Sequence, residues 1–260
     1  MEKKENELIR SLDQYIREID LIISKWTEED EDGSYIYPWF RGHSNQNYSL
    51  LPGIYRDDRL IGNEDSYMQD FMFKAHPFLD QSYYRPTNYF EWYFLMQHYG
   101  MPTRLLDWTE GSLVALHFAL NYKSDDENPC VWVLNPFLFN KFYNKEEIIY
   151  TDEKHLQKFL PEIWRESKLP KSPVALQPQI NSKRIFSQKG CFMLFGSDKI
   201  DLSKEDSSSE FLVKLEIDYN EIEFIRDSLT VTGVTESIVY PELSGLAREI
   251  QHYYRVKNTK

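Results

Sequence analysis

The spacing of apolar residues in the first half of the chain is mostly helical. Over residues 5–26, apolar positions recur every three or four residues, which predicts an amphipathic helix. Further helices are predicted over 64–80, 87–100 and 112–122. The segment 87–100 is apolar nearly all round, so we expect that helix to be central and buried.

The second half of the chain changes to short apolar runs that are typical of strands. Strands are predicted at 129–136, 184–196 and 210–218, with an early one at 35–41, and two helices at 219–229 and 242–257 end the chain. This pattern predicts an α+β fold. We expect a single domain with a helix-rich first half and a small, mainly antiparallel sheet, in which the early strand joins the later ones.

Composition and charge narrow the function classes. Hydrophobic residues make up 41% and aromatic residues 15% of the 260 residues, which is enough for a large core. The net charge of −12 argues against nonspecific nucleic-acid binding, which depends on neutralising phosphates. We predict no membrane span, no signal peptide and no metal site, because the apolar stretches and ligand spacings that these need are missing from the sequence. Cys130 and Cys191 lie in apolar runs and are expected to be buried, reduced thiols, which favours the cytoplasm.

An arginine ends the aromatic run of the early strand. If residues 35–41 are extended, Trp39 and Arg41 share one face of the strand. Gly42 then allows a tight turn or a close approach to a ligand. The guanidinium group of an arginine at a strand end can bind a phosphate or a carboxylate of a ligand. The alternative is that Arg41 pairs with an acidic residue inside the protein.

A second dense group of polar residues lies in "QHYGMPTRLLDWTEG" at 97–111, of which residues 101–111 are predicted to be a loop between two apolar helices. Asp107 and Glu110 have the spacing of a capping box for the next helix, and Arg104 is close enough in sequence to pair with Asp107. His98 lies near the end of the buried helix, where a histidine is more often structural than a base. These side chains form either a structural network or the lining of a cleft, since buried polar groups need partners.

Two later stretches also carry candidate residues. If "RIFSQKGCFMLFG" at 184–196 is a strand, one of its faces carries Arg184, Phe186, Gln188, Gly190 and Phe192. Gln188 would then form hydrogen bonds with an amide or a base of a flat ligand; the alternative is that this face of the strand is simply exposed to solvent. In "VYPELSGLAREI", Pro241 and Glu242 suit the first turn of a helix, so the helix dipole alone can explain Glu242.

These stretches together resemble the motifs of a known family. In chain order, "FRG" at 40–42, "QHYGMPTRLLDWT" at 97–109, "RIFSQKGCF" at 184–192 and "YPELSGLA" at 240–247 are similar to those of the FRG domain, a mainly bacterial family named for its Phe-Arg-Gly signature. The resemblance covers about residues 30–250. It divides the chain into an N-terminal helix at 1–29 and an FRG domain at 30–255.

The resemblance, with a distant similarity to ADP-ribosyltransferase-like folds, implies roles for particular residues. Arg41 would hold the pyrophosphate of NAD, and Gln188 or Ser187 would lie on a middle strand. Glu242 would be the carboxylate that stabilises the positive charge of the ribose. The family typically has Pro-Asp-Leu where this chain has Pro-Glu-Leu, which keeps the negative charge.

Two functions from different classes follow from this resemblance. The first is a bacterial toxin or phage-defence effector that acts on NAD or a nucleotide, by ADP-ribosyl transfer or NAD glycohydrolysis, with NAD as substrate rather than cofactor. The second is a noncatalytic sensor of a nucleotide or anion; either one could have a protein partner or antitoxin. The enzyme hypothesis predicts one aromatic-lined cleft, with Arg41 and Glu242 as catalytic residues. Its ligand-binding residues would be Trp39, His98, Arg104, Asp107, Arg184 and Gln188.

Overall fold

A computed structural model describes residues 7–29, 36–79, 85–121, 127–146, 156–160, 168–178 and 183–257. Its helices are α1 (Leu12–Glu29), α2 (Asp58–Ile61), α3 (Glu64–Ala75), α4 (Tyr89–His98), α5 (Ser112–Leu120), α6 (Pro136–Asn144), α7 (Lys183–Gln188), α8 (Ile222–Val231), α9 (Glu236–Val239) and α10 (Leu243–Lys257). Its strands are β1 (Trp39–His43), β2 (Leu105–Thr109), β3 (Cys130–Leu134), β4 (Val174–Leu176), β5 (Gly190–Leu194) and β6 (Leu212–Glu216). Tyr35, at the start of the predicted early strand, lies outside the described residues.

The six strands form one antiparallel sheet in the order β4-β5-β2-β1-β3-β6. The α+β prediction is confirmed, including the early strand, which pairs with β3 from Trp39↔Leu134 to His43↔Cys130. No helix in the described ranges is long and apolar enough to cross a membrane.

The two inner strands β1 and β2 meet at a single residue pair. Each has five residues, and within the described sheet Phe40↔Thr109 is the one pair in their register. On their other sides, β1 makes five pairs with β3 and β2 makes five pairs with β5. The sheet therefore consists of two well-paired halves, β4-β5-β2 and β1-β3-β6, which are joined along a weakly paired line that we call the seam.

Helices cover one face of both halves, because antiparallel partners point their side chains to the same face. On the β1-β3-β6 half, Phe40 and Val133 pack with buried residues of α1, α5 and α8. On the β4-β5-β2 half, Leu105 and Leu194 pack with buried residues of α3 and α4. The opposite face carries a third apolar cluster, which includes Trp39 and Trp108. The helix-covered face thus has one helical group on each side of the seam.

Gly42 brings α5 against the sheet. A Cβ at this position would lie 1.9 Å from the carbonyl oxygen of Ala115 and 2.6 Å from the backbone nitrogen of Ala119. No side chain fits there, because both obstacles are backbone atoms. The tight turn that the sequence offered for Gly42 is wrong, because the glycine lies within β1 and allows the helix to pack closely.

Two sequence predictions of local structure are wrong. The segment 101–111 was predicted as a loop with Asp107 as a helix cap. It contains strand β2, and the cap residue of α5 is Gly111, which makes no side-chain cap hydrogen bond. The predicted strand at 184–196 starts only at Gly190.

Residues Lys183–Gln188 of that stretch form helix α7 instead. Ser187 Oγ and Gln188 Nε2 both donate to the carbonyl of Val239, and Lys189 turns the chain into β5 with a φ of 46°. The contact with residue 239 lies far along the chain, so local periodicity could not reveal it.

Candidate functional site

A cavity of about 360 Å³ opens at the seam. Its walls come from β1 and the loop after it, β2, β5, the end of α4, α5 and α7. Four residues with sequence-predicted roles line it together with Arg41, namely His98, Asp107, Arg184 and Gln188. Five of the eight predicted site residues therefore meet at one place, although they come from separate motifs.

Arg41 spans the seam with its side chain. Its Nη1 donates to the carbonyl oxygen of Asp107, which takes the place of a backbone bond between β1 and β2, and its Nε donates to His43 Nε2 at 3.0 Å. A guanidinium has five N–H groups, so three have no partner among the described residues. Burial lowers the pKa of Arg41 to about 10, which the charge of Asp107 partly opposes. Arg41 is therefore a cation at neutral pH with unused donors at the cavity.

His43 is a neutral support for Arg41. Its Nε2 accepts from Arg41, so its ring proton lies on Nδ1, a buried atom with no partner among the described residues. Burial, together with the charges of Arg41 and Arg56, lowers the pKa of His43 to about 2. The ring stays uncharged and leaves Arg41 as the positive group.

Asp107 is exposed at the centre of an inner strand. The other four residues of β2 are buried, and Asp107 reaches solvent where the cavity opens above it. Gln97 Nε2 donates to Asp107 Oδ2 at 2.9 Å, and Thr103 Oγ1 donates to Gln97 Oε1 at 2.6 Å. Asp107 Oδ1 has no hydrogen-bond partner among the described residues. The cavity therefore contains one carboxylate that is held by a neutral amide.

Arg184 provides a second cation on the wall formed by α7. Its guanidinium lies over the ring of Tyr240 at 5.0 Å, and Arg248 lies over the same ring at 4.9 Å. Burial lowers the pKa of His98, the charge of Arg184 lowers it further, and Glu242 raises it. His98 is therefore neutral at physiological pH.

Aromatic rings supply the apolar part of the lining. Phe94 and Phe192 are stacked, with ring centroids 5.1 Å apart and planes 20° apart. Phe118 from α5 and the exposed Tyr48 also line the cavity. A flat ring system can pack against such surfaces.

Cys191 also lines the cavity, but it is not a thiolate. Both cysteines are buried and free, as the sequence predicted. Burial raises the pKa of Cys191 well above that of an ordinary thiol. This thiol therefore remains protonated and is a poor nucleophile at neutral pH.

Arg104 lies in the core and outside the cavity lining. It is 1% exposed, and its Nε donates to both carboxylate oxygens of Glu64 at 2.9 and 3.0 Å. Its other nitrogens donate to the carbonyls of Phe159 and Phe195. The partner acid is thus Glu64 rather than Asp107, and the contacts of Arg104 are structural.

Trp39 and Glu242 also lie outside the lining that the described residues form. Trp39 is 1% exposed and packs in the core on the opposite face of the sheet from α5. Glu242 is exposed just before α10, with Ser244 Oγ as a donor at 3.4 Å. The predicted convergence of Arg41, Arg104, Gln188 and Glu242 is therefore met by Arg41 and Gln188.

Sequence reasoning missed several lining residues, although one of them lies inside a motif and another lies directly after one. Gln97 is the first residue of "QHYGMPTRLLDWT", and His43 directly follows "FRG". Phe94 was assigned to a buried helix without a site role. The polar character of Gln97 inside a mostly apolar helix was the signal that could have identified it.

Fold and site thus define an α+β fold with a cavity-lining arginine at a seam of the sheet. Residues 37–128 match the family model of the FRG domain, so this stretch of the chain carries an FRG domain. The match includes β1, β2 and the helices α4 and α5, which provide most of the cavity wall. No curated protein and no solved structure is significantly similar to the chain.

Proposed function

We propose that this FRG-domain protein binds a nucleotide-type anion in the seam cavity, with NAD as the first candidate. The proposal depends on two arginines that line the cavity without an acidic partner in the described part of the chain. Arg41 and Arg184 line one cavity, and neither has a carboxylate within 4 Å among the described residues. In a chain with a net charge of −12, such cations favour an external anion.

The neighbouring groups fit a nucleotide better than a simple anion. The stacked Phe94 and Phe192 offer a surface for a base or a nicotinamide ring. Gln188 lines the same cavity and carries both a donor and an acceptor, although its Nε2 already donates to Val239. The volume of about 360 Å³ is within the range of small-molecule sites.

The finer proposal is that the bound NAD is cleaved at its nicotinamide–ribose bond, with or without transfer of ADP-ribose to an acceptor. In hydrolysis the bond electrons leave with nicotinamide, water adds to the ribose carbon and a proton is released. A carboxylate near that carbon would stabilise the transition state. An enzyme that depletes NAD in the cytoplasm would arrest its own cell, and we therefore extend the proposal to a toxin or phage-defence effector with a partner that restrains it.

Noncatalytic binding is the second candidate, and the position of Glu242 favours it. This carboxylate lies outside the described lining, so the residue assigned to catalysis by the resemblance is not in the cavity. A sensor would use the same arginines and would need no reacting carboxylate.

Binding is tested by calorimetric titration with NAD and ADP-ribose. We expect Arg41→Gln and Arg184→Gln each to weaken binding about tenfold or more, because a charged hydrogen bond to phosphate is lost. Arg59→Gln is the matched control, since Arg59 is exposed and pairs with Asp57. Unchanged affinity in both cavity variants, or no binding by the unaltered protein, would refute the proposal.

Turnover is tested separately by chromatographic detection of nicotinamide from NAD. Release of nicotinamide that is lost in Arg41→Gln supports the enzyme. Binding without release, with candidate protein acceptors present, supports the sensor. Growth arrest on induced expression, and its loss in Arg184→Gln, would support the toxin.

A further inference from the structure

We infer that Asp107 determines the specificity of the cavity by accepting hydrogen bonds from the ribose hydroxyls of a bound nucleotide. The inference rests on the proposed function and narrows its ligand class: the site takes a ribonucleotide rather than a bare phosphate or a deoxy analogue. Asp107 was assigned from the sequence as a helix cap or a general ligand contact. The structure gives it a defined acceptor geometry.

The position of Asp107 is unusual for a structural carboxylate. It occupies the middle of an inner strand, between Leu106 and Trp108, which are 2% and 3% exposed. Inner strands beneath helices normally bury their central residues. Asp107 has no salt bridge within the described residues, and its charge acts on Arg41 without an ion pair between the two side chains.

A chain of hydrogen bonds fixes the orientation of this carboxylate. The N–H of Leu105 donates to Thr103 Oγ1 at 3.1 Å, which leaves the Thr103 hydroxyl proton to bond Gln97 Oε1. With its oxygen held in this way, the amide of Gln97 presents Nε2 to Asp107 Oδ2. The chain holds one carboxylate oxygen, and Oδ1 is left to accept from a ligand.

The sign of the charge determines which part of the ligand Asp107 can contact. A phosphate would be repelled by Asp107 and attracted by Arg41 and Arg184, which line the same cavity. The group next to Asp107 must therefore be a donor. In a nucleotide the donors close to the phosphates are the ribose hydroxyls, and a carboxylate placed near a pyrophosphate site is a common partner for them.

The experiment compares ADP, 2′,3′-dideoxy-ADP and inorganic pyrophosphate by calorimetric titration. For the unaltered protein we expect ADP to bind at least about tenfold more tightly than its dideoxy analogue. In Asp107→Asn this preference should vanish. Gln97 presents a donor, so the asparagine must offer its oxygen to Gln97 and its NH₂ group to the ligand. Asp107→Ala should lose the preference as well, while both variants keep pyrophosphate binding.

Two further variants separate recognition from folding. Asp70→Asn is the matched control, because Asp70 is exposed on α3 and pairs with Lys74. If Thr103 acts by orienting Gln97, Thr103→Val should reduce the preference for ADP over its dideoxy analogue. Thr103→Ser, which keeps the hydroxyl group, should retain that preference. An unchanged preference in both Asp107→Asn and Asp107→Ala would overturn the inference. If the unaltered protein binds neither ADP nor pyrophosphate, the proposed function fails as well, which is a different result.

Discussion

The close contact at Gly42 makes a strong prediction for Gly42→Ala. The new Cβ would lie 1.9 Å from the carbonyl oxygen of Ala115. An ordinary van der Waals contact begins near 3.4 Å, so α5 would have to move away from β1 by about 1.5 Å. A backbone carbonyl cannot rotate away as a side chain can, and the whole helix must shift.

The expected cost is large for a single methyl group. Overpacking of a well-packed core typically costs about 1–3 kcal/mol, and a backbone obstacle places this variant at the upper end, at about 3 kcal/mol. The shift would also separate Ala115 and Ala119 from the core, where both are fully buried. Phe118 on the same helix lines the cavity, so the proposed binding of a nucleotide should weaken together with stability.

Equilibrium unfolding in urea measures this change directly. Gly62→Ala is the matched control, because no atom lies within 4 Å of its new Cβ and its φ of −73° is ordinary for alanine. We expect Gly62→Ala to be neutral or to raise the free energy of unfolding by up to about 1 kcal/mol. A loss below about 1 kcal/mol in Gly42→Ala, or an equal loss in both variants, would show that α5 is not held as described.

Three other changes test separate parts of the structure. Arg104→Met should lower the free energy of unfolding in urea by about 3–5 kcal/mol, because it leaves Glu64, whose side chain is 12% exposed, without its charge partner; a loss below about 1 kcal/mol would contradict this. Unfolded His43 binds a proton below about pH 6.5 but the folded residue does so only near pH 2, so stability should fall as the pH drops through this window, by up to about 2 kcal/mol between pH 7 and 5. His43→Asn should remove that part of the pH dependence in urea titrations. If the variant loses as much stability between pH 7 and 5 as the unaltered protein does, His43 is not the neutral group described. Tyr240→Leu should weaken nucleotide binding about two- to fivefold by releasing Arg184, whereas Tyr240→Phe keeps the ring and should bind normally, and equal affinity in all three proteins would exclude this role.

The sequence predicted those parts of the fold whose pattern is local. The apolar run around Phe94 and the compact run that contains Ala115 both became helices, and the aromatic run that ends at Arg41 became a strand. Strand β2 was missed because Leu105 to Thr109 is short, follows a proline and carries a capping-box spacing. Its extended form depends on pairing with β5, a partner some 85 residues away in the sequence.

The candidate site was predictable as a set of motifs, but not as a set of roles. Arg41 and Arg104 both precede apolar or small residues within motif stretches, and nothing local distinguishes them. What separates them is Glu64, which pairs with Arg104 from forty residues away and leaves Arg41 without an acid of its own. Likewise, the contacts of Gln188 depend on residue 239.

The single pair between β1 and β2 has a mechanical consequence. Each half of the sheet is cohesive, and the line between them is held by Phe40↔Thr109 and by the bond from Arg41 to the Asp107 carbonyl. A ligand that contacts both Arg41 on β1 and Asp107 on β2 would link the two halves of the sheet across the seam. Occupancy would then stiffen the whole domain, and slower hydrogen exchange at the backbone amides of both strands would report binding from within the sheet itself.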